Sequence, residues 1–210
     1  MSGLREKQKA DRRGRILGAA VRMFRASEYR SVRIEDIARE AGVSVGTVYN
    51  YYQTKGDILI AVVAMEVEEV LEAGSLIVHD PPGDAARAIL ALVFSYYDHS
   101  LEYLSKEMWR TAMALSIEAP GTRNGQLYNA LDRRLAAQVT GLVEKLQHRG
   151  DIAEHHDSRA LGALLFNNLN QNFIDFVKDD SMSLERLCET VAAQTEPLVR
   201  LMAPVSAARS

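Results

Sequence analysis

The sequence of 210 residues predicts an all-α fold. Apolar residues recur every three or four positions through almost the whole chain, which is typical of helices that bury one face. No segment alternates apolar and polar residues over a length that would predict a strand. Turn-forming stretches such as HDPPGD at residues 79–84 separate the helical segments. We therefore expect a chain of helices joined by short connections.

Three helices are predicted at the N-terminal end of the chain. The first is expected near residues 10–27, where apolar residues follow helical spacing. Ser31 is positioned to cap a second helix, and Gly42 is expected to end it. Ser44 is positioned to cap a third helix that continues to about Tyr51.

Longer helices are predicted for the rest of the chain. Thr54 and Asp57 resemble a capping box at the start of a long fourth helix. Further helices are expected near residues 84–98, 101–117, 125–148, 158–178 and 183–202. The segment 158–178 is apolar on nearly all sides, which predicts that it is buried on all sides. Together with the segment 183–202 from each subunit, it could form a four-helix dimer interface; the alternative is an ordinary monomer core.

Composition and charge limit the class of protein. No apolar run reaches the ~18 residues that a membrane span needs, and the charged N-terminal stretch does not resemble a secretory signal. The single cysteine, Cys188, excludes an internal disulfide and fits a reducing cytoplasm. Residues 1–60 contain 12 Lys and Arg against 7 Asp and Glu, whereas the other residues contain 13 against 21. The basic end predicts an anionic partner, with solvated surface charge as the alternative.

Residues 34–51 have the pattern of two short helices around a glycine. Small and apolar residues recur at helical spacing, and charged residues lie between them. Gly42 can adopt the positive φ that a tight turn between helices requires. This is the helix-turn-helix pattern, whose second helix enters the major groove of DNA.

The third predicted helix contains the run TVYNYY. Val48 and Tyr52 are four residues apart, so we expect both to face the core. Tyr49, Asn50 and Tyr51 then point in the remaining directions. Asparagine can pair bidentately with adenine, and tyrosine hydroxyls can reach phosphates. These residues therefore predict DNA contacts, although tyrosines at the rim of a core are the alternative.

The starts of the third and fourth helices favour a phosphate. Ser44 and Thr47 place hydroxyls at a helix N-terminus, and Gly46 lets the backbone approach closely. Lys55 lies in the first turn of the fourth helix, where the helix dipole disfavours a cation by ~0.3–1 kcal/mol. A DNA phosphate at that position would reverse the effect; a solvated lysine is the alternative.

The stretch GVSVGTVYNYYQTKGDIL, residues 42–59, resembles the signature of the tetracycline-repressor (TetR) family of bacterial regulators. Upstream matches extend the resemblance over about residues 10–60. The stretch differs from the family pattern at two positions. Tyr51 stands where the family often has histidine, and Tyr52 stands where it often has phenylalanine. A similar turn opens lactose-repressor-type proteins, but an α/β domain follows it there, whereas only helices follow here.

The resemblance implies a division of the chain into two domains. Residues 1–54 would be a DNA-binding helix-turn-helix domain, and residues 55–210 would form a helical ligand-binding and dimerisation domain. The DNA-contact candidates are Arg33, Ser44, Val45, Gly46, Thr47, Tyr49, Asn50, Tyr51 and Lys55.

A ligand pocket is expected in the C-terminal part of the chain, because aromatic walls with a few polar groups suit a small-molecule cavity. Plain core packing is the alternative for each candidate. The candidates are Phe94, His99, Trp109, Met113, Phe166, Asn167, Asn170 and Phe173.

No catalytic residue, metal site or cofactor is predicted. His155 and His156 are adjacent, so on a helix they would diverge by ~100° and could not chelate together. The sequence contains no H-E-x-x-H motif, phosphate loop or dinucleotide fingerprint.

The sequence thus predicts a DNA-binding transcriptional regulator rather than an enzyme. We expect a cytoplasmic homodimer that binds a two-fold symmetric double-stranded operator and acts as a repressor released by a small-molecule effector. The alternative is an all-helical small-molecule-binding protein or enzyme with a vestigial helix-turn-helix.

Overall fold

Helices are the regular elements of residues 2–204, which are the residues that the computed structural model describes. They are α1 Ser2–Ala26, α2 Ile34–Glu40, α3 Val45–Tyr49, α4 Lys55–His79, α5 Ala85–His99, α6 Lys106–Glu118, α7 Arg123–Arg149, α8 Ser158–Lys178 and α9 Leu184–Met202, with a 3-10 turn at Tyr29–Ser31. No strand occurs within the described residues, which confirms the predicted all-α class. None of the helices in this range is long and apolar enough to cross a membrane.

The predicted caps of α3 and α4 are confirmed. Ser44 Oγ accepts a hydrogen bond from the backbone N–H of Thr47 at 3.1 Å. Thr54 and Asp57 form the reciprocal pair of a capping box: Asp57 Oδ2 accepts from Thr54 N at 2.8 Å, and Thr54 Oγ1 accepts from Asp57 N at 3.1 Å. Each pair satisfies backbone donors that a helix start leaves without an intrahelical partner.

The predicted cap of α2 is wrong. Ser31 lies in the 3-10 turn, where its hydroxyl donates to the carbonyl of Glu28 at 2.8 Å. Arg33 occupies the N-cap position of α2, and no side chain caps that helix. A serine followed by a helical pattern could not reveal that the 3-10 turn had already used its hydroxyl.

Two compact units divide the described residues. The first contains the chain up to Glu66 together with Glu102–Asn129. In it α1 packs against α2, and α2 packs against α3. The residues of these three helices that are at most 3% exposed are Ile16, Ala19, Ala20, Phe24, Ile37, Ala38 and Val48. The inner face of this unit thus repeats at the helical spacing that the sequence predicts.

The second unit contains Val67–Leu101 and the described residues from Ala130 onward. In it α5 and α8 both pack against α9. α8 also approaches α7 closely at Gly162, where an added Cβ would lie 2.7 Å from Thr140 Cα. A larger residue at this position would therefore push the two helices apart.

α8 is not buried on all sides within a single chain, so burial of its outer face stays a prediction that requires a second subunit. Phe173 and Phe176 are buried, whereas Leu164 is 50% exposed. Ala160 and Ala163 are also exposed. These exposed residues repeat at helical spacing and form one face of α8. The sequence did not reveal that this face is exposed, because small and apolar residues fit a buried position equally well.

Candidate nucleic-acid interface

The turn between α2 and α3 depends on a glycine and on an arginine from α1. Gly42 adopts φ +63°, as the helix-turn-helix pattern predicts. Arg15 Nε donates to the carbonyl of Ala41 at 3.2 Å, and its Nη2 donates to the carbonyl of Gly42 at 2.9 Å. Arg15 therefore holds the turn to α1. The sequence pattern did not single it out, because it is one of many cations in that helix.

α3 is anchored by its inward residues and presents its outward residues to solvent. Val48 is fully buried and Tyr52 is 7% exposed, which confirms that both face the core. Tyr49 is 47% exposed, and Asn50 is also exposed. An anchored helix with an outward asparagine and tyrosine can present both to a nucleic acid without changing its own packing.

The N-terminal end of α3 carries two hydroxyls. Ser44 Oγ and Thr47 Oγ1 are 2.8 Å apart and hydrogen-bonded to each other. Gly46 is exposed, and a Cβ added there would meet only Ser44 Oγ, at 3.9 Å. Val45 is partly exposed beside them. The structure thus brings these four candidates together at one end of the helix.

Tyr51 and Arg33 each have a protein partner. The hydroxyl of Tyr51 donates to the backbone carbonyl of Lys9 in α1 at 3.4 Å. The side chain of Arg33 is 72% exposed, and its Nε lies 3.5 Å from Glu35 Oε2. Both contacts are peripheral and weak by geometry, so these side chains remain accessible. Their contact with DNA stays a prediction.

Lys55 has a role inside the protein that the sequence did not predict. Its Nζ donates to the carbonyls of Tyr29, Arg30 and Val32 at 2.7, 3.1 and 2.9 Å. The ammonium also lies 4.4 Å from the centre of the Tyr29 ring. Burial lowers the pKa of Lys55, and the charge of Glu107 opposes that change.

These contacts occupy the lysine that was expected to meet a phosphate. An ammonium group has three N–H donors, and three carbonyls accept from it. Lys55 therefore joins the start of α4 to the 3-10 turn. The carbonyl oxygens, rather than a phosphate, offset the unfavourable position of the cation at a helix N-terminus. The phosphate contact of Lys55 stays a prediction that would require these hydrogen bonds to open.

Exposed cations in α1 extend the basic surface beyond the predicted candidates. Arg22 pairs with Glu40 at 2.9 Å, so that cation is already neutralised. By contrast, residues 3–15 are all exposed. The cations among them that form no ion pair with a described residue are Arg5, Lys7, Lys9, Arg12, Arg13 and Arg15. Their contribution was visible in the sequence only as the net positive charge of the N-terminal part.

The ligand-pocket candidates are distributed over both units. In the first unit, Trp109 is buried and Met113 is partly buried. In the second unit, Phe173 stacks on Tyr97 with ring centres 5.9 Å apart. Phe166 is buried and Asn170 is partly buried in the same unit.

The remaining candidates have other surroundings in the second unit. Phe94 lines an open groove of about 560 Å³ between α5 and α9, together with Arg87 and Arg200. His99 Nε2 lies 3.3 Å from Glu69 Oε2. Asn167 is on the exposed face of α8, so the structure does not bring it together with the buried aromatic residues. Their role in binding a ligand stays a prediction.

The two adjacent histidines are not on a helix, so the geometric argument against chelation was wrong. His155 and His156 lie in a turn, and their ring centres are 4.1 Å apart. Among the described residues, no group of three or more His, Cys, Asp or Glu side chains is arranged to hold a metal ion.

Comparisons with known proteins identify the N-terminal unit. Residues 16–62 match the family model described as bacterial regulatory proteins, tetR family. The chain is 26% identical over 181 residues to the fatty acid metabolism regulator protein of Bacillus subtilis (strain 168), which covers 83% of this chain and 88% of that protein. It is 28% identical over 133 residues to the HTH-type transcriptional repressor KstR of Rhodococcus jostii (strain RHA1), covering 62% and 60% of the two chains.

A solved structure resembles the fold of this chain beyond residues 16–62. The regulator FadR from Bacillus subtilis, in complex with stearoyl-CoA, gives a TM-score of 0.64 at 20% identity, over 86% of this chain and 96% of that chain. The anchored helix-turn-helix, the matching family model and the regulators that resemble the chain agree with one another. Residues 16–62 therefore match the helix-turn-helix region of the bacterial regulatory proteins of the tetR family, and the chain is a DNA-binding transcriptional regulator.

Proposed function

We propose that this regulator is a homodimeric repressor that leaves its operator when a fatty acyl thioester binds. The observation that carries the DNA part is α3 with the turn that follows it, where buried Val48 and Tyr52 hold exposed Tyr49 and Asn50 outward. Such a helix can enter the major groove as a rigid element. In this proposal residues 1–54 bind DNA, residues 55–210 bind the effector and the second subunit, and the protein acts in the cytoplasm.

The dimer is proposed on the outward faces of α8 and α9. Leu164 is 50% exposed and Leu201 is 80% exposed. Ala160, Ala163 and Ala193 are exposed on the same two helices. Small residues let helices approach closely, and large apolar residues gain most from leaving water. Two copies would bury these faces in a four-helix arrangement, which suits an operator with two-fold symmetry.

The effector class is proposed from the relatives. One of them is named for fatty acid metabolism, and the related FadR structure contains stearoyl-CoA. Release from DNA requires that the effector bind more tightly to a conformation whose two heads do not fit the operator. An effector with equal affinity for both conformations would leave DNA binding unchanged.

The test has two steps on the full-length protein. First, a duplex is selected in vitro from a random pool, and its affinity is measured across salt concentrations. We expect affinity to fall steeply with salt, because phosphate contacts release counterions. Second, stearoyl-CoA is titrated into the complex, with coenzyme A alone and free stearate as controls.

The outcomes separate the parts of the proposal. Loss of DNA binding with stearoyl-CoA, but not with coenzyme A, supports an acyl thioester effector. Release by stearate alone would replace the thioester by the fatty acid. If no duplex is selected and DNA binding shows no salt dependence, the helix-turn-helix is vestigial. The protein is then a small-molecule-binding protein or enzyme.

A further inference from the structure

A groove of about 630 Å³ lies in the first unit, beside the end of α3. α1 contributes Lys9 and Arg13 to its lining, and the first residue of α7, Arg123, lies across from them. Tyr51 from the turn after α3 also lines the groove, and its hydroxyl donates to the carbonyl of Lys9 at 3.4 Å. The groove is therefore built from three elements that are remote in the sequence.

The charge that lines this groove is strongly unbalanced. Lys9, Arg13 and Arg123 are three cations, whereas Glu6 is the one carboxylate among the lining residues. None of the three cations forms an ion pair with a residue that the structure describes. All three are on exposed positions, so an anion can reach them. Clustered cations repel one another unless an anion lies between them.

A buried hydroxyl at the same groove also lacks a partner. Tyr52 lines the groove and is 7% exposed, and its hydroxyl accepts and donates no hydrogen bond in the described part of the chain. Burial raises the pKa of this hydroxyl, whereas hydrogen bonding by Arg13 and the charges of Arg13 and Arg123 lower it. The Arg13 guanidinium is therefore near enough to interact with the hydroxyl, although the two groups do not have the geometry of a hydrogen bond.

The start of α7 adds to the positive potential. Arg123 is its first residue, and the first turn of this helix contains no acidic side chain. The positive end of a helix dipole disfavours a cation, and an anion bound at the same end reverses that effect. One described carboxylate lies at this helix start, since Asp57 Oδ1 accepts a hydrogen bond from Asn124 Nδ2 at 2.6 Å, and it offsets part of the positive potential there.

We propose that this groove binds a phosphate group through Lys9, Arg13 and Arg123. The phosphate belongs either to the operator backbone, next to the bases that face Asn50, or to a free phosphorylated molecule. In the first case α7 takes part in DNA binding, and the inference rests on the proposed function.

The DNA source is tested with Arg123→Ala and Lys9→Ala on the selected duplex. Lys145→Ala is the control, because Lys145 is an exposed cation on the part of α7 that belongs to the other unit. The plot of log affinity against log salt has a negative slope. Each lost phosphate contact makes this slope less steep by about 0.9 per subunit. We expect this decrease for the two groove variants and an unchanged slope for the control. Circular dichroism establishes that each variant is folded, and Arg123→Gln replaces Arg123→Ala if the latter is not.

The free source is tested without DNA by thermal unfolding in phosphate and in chloride at equal ionic strength. A phosphate-specific rise in melting temperature that Arg123→Ala abolishes and Lys145→Ala retains assigns the groove to a free anion. Unchanged salt slopes together with no phosphate-specific stabilisation overturn the proposal. If the wild type binds no duplex, the proposed function fails, but the thermal measurement still decides whether the groove binds phosphate.

Discussion

Tyr49, Asn50, Tyr51 and Tyr52 are consecutive, yet they have four different environments. Tyr49 and Asn50 are exposed, Tyr51 is partly buried with its hydroxyl on the carbonyl of Lys9, and Tyr52 is buried. The turn after α3 begins at Asn50, so the chain leaves helical geometry within this run. Each side chain is therefore expected to fail in a different way when it is changed.

Tyr52 provides a test of packing against hydrogen bonding. Its hydroxyl is buried without a partner, so Tyr52→Phe removes a desolvated polar group and should raise the free energy of unfolding by about 1 kcal/mol. Tyr52→Ala deletes the ring and should lower it by ~3–5 kcal/mol. Urea denaturation measures both changes. A destabilised Tyr52→Phe variant would mean that the hydroxyl has a partner in solution.

Asn50 is the best candidate for reading a base. It is exposed at the C-terminal end of α3, so Asn50→Ala should leave the melting temperature unchanged. If the amide pairs bidentately with adenine, the variant loses ~1–3 kcal/mol of discrimination at one base position. The measurement is binding to a panel of single-base variants of the selected duplex, with Gln53→Ala as an exposed polar control. Should the rank order of the panel stay the same, Asn50 does not read a base.

At the scale of elements, Lys55 connects the start of α4 to the 3-10 turn that precedes α2. Lys55→Ala leaves the carbonyls of Tyr29, Arg30 and Val32 without the ammonium, so we expect unfolding to become easier by about 1–3 kcal/mol. The salt slope of DNA binding should stay the same. A folded, equally stable variant whose slope falls by about 0.9 per subunit would instead restore Lys55 as a phosphate contact.

α7 contains a carboxylate whose ionisation opposes folding. Burial raises the pKa of Asp132 from 3.8 to about 6, and the charge of Arg133 opposes that rise. The folded protein therefore binds this proton more tightly than the unfolded chain does. Protonated Asp132 therefore stabilises the folded state. This contribution to the free energy of unfolding is complete below about pH 4 and is lost as the pH rises through 6.

Asp132→Asn removes this titration. We expect the variant to be more stable than the wild type at pH 7, by up to about 3 kcal/mol, since one pKa unit corresponds to about 1.4 kcal/mol. The difference should be smaller at pH 5. Urea denaturation at both pH values measures it, with exposed Asp11→Asn as the control. A pH-independent difference would show that Asp132 does not titrate in this range.

For the whole molecule, a substitution on the exposed face of α8 tests whether the protein is a dimer. Leu164→Glu should leave the fold intact and convert the dimer into a monomer, because the charge would lie in the proposed interface. Leu76→Glu is the matched control, since Leu76 is 72% exposed on α4. Sedimentation velocity measures the change. A wild-type protein that sediments as a monomer would contradict the dimer.

A substitution at Phe173 tests the core of the second unit rather than the interface between subunits. It is 9% exposed and stacks on Tyr97 of the same chain, so it belongs to the core of the second unit. Phe173→Glu should therefore unfold this unit rather than only separate subunits. A folded monomer of this variant would mean that Phe173 lies in the interface between subunits.

The sequence by itself determined the presence and order of the helices, two of the helix caps and the inward direction of Val48 and Tyr52, but not the starts of α1 and α6. These features depend on residues within about four positions of one another, as in the pair of Val48 and Tyr52 or the capping box of Thr54 and Asp57. The signature in residues 42–59 likewise sufficed to predict the family. Local spacing carries this information because a helix repeats over one turn.

Only the tertiary structure decided the partners of the charged residues and the outward face of α8. Lys55 meets carbonyls 23 to 26 residues away, and Arg123 shares a groove with Lys9 and Arg13. A charge in a sequence carries no record of which remote backbone or side chain will lie beside it. Those neighbours are set by how the helices pack, and packing depends on the summed contacts of many residues rather than on one local pattern.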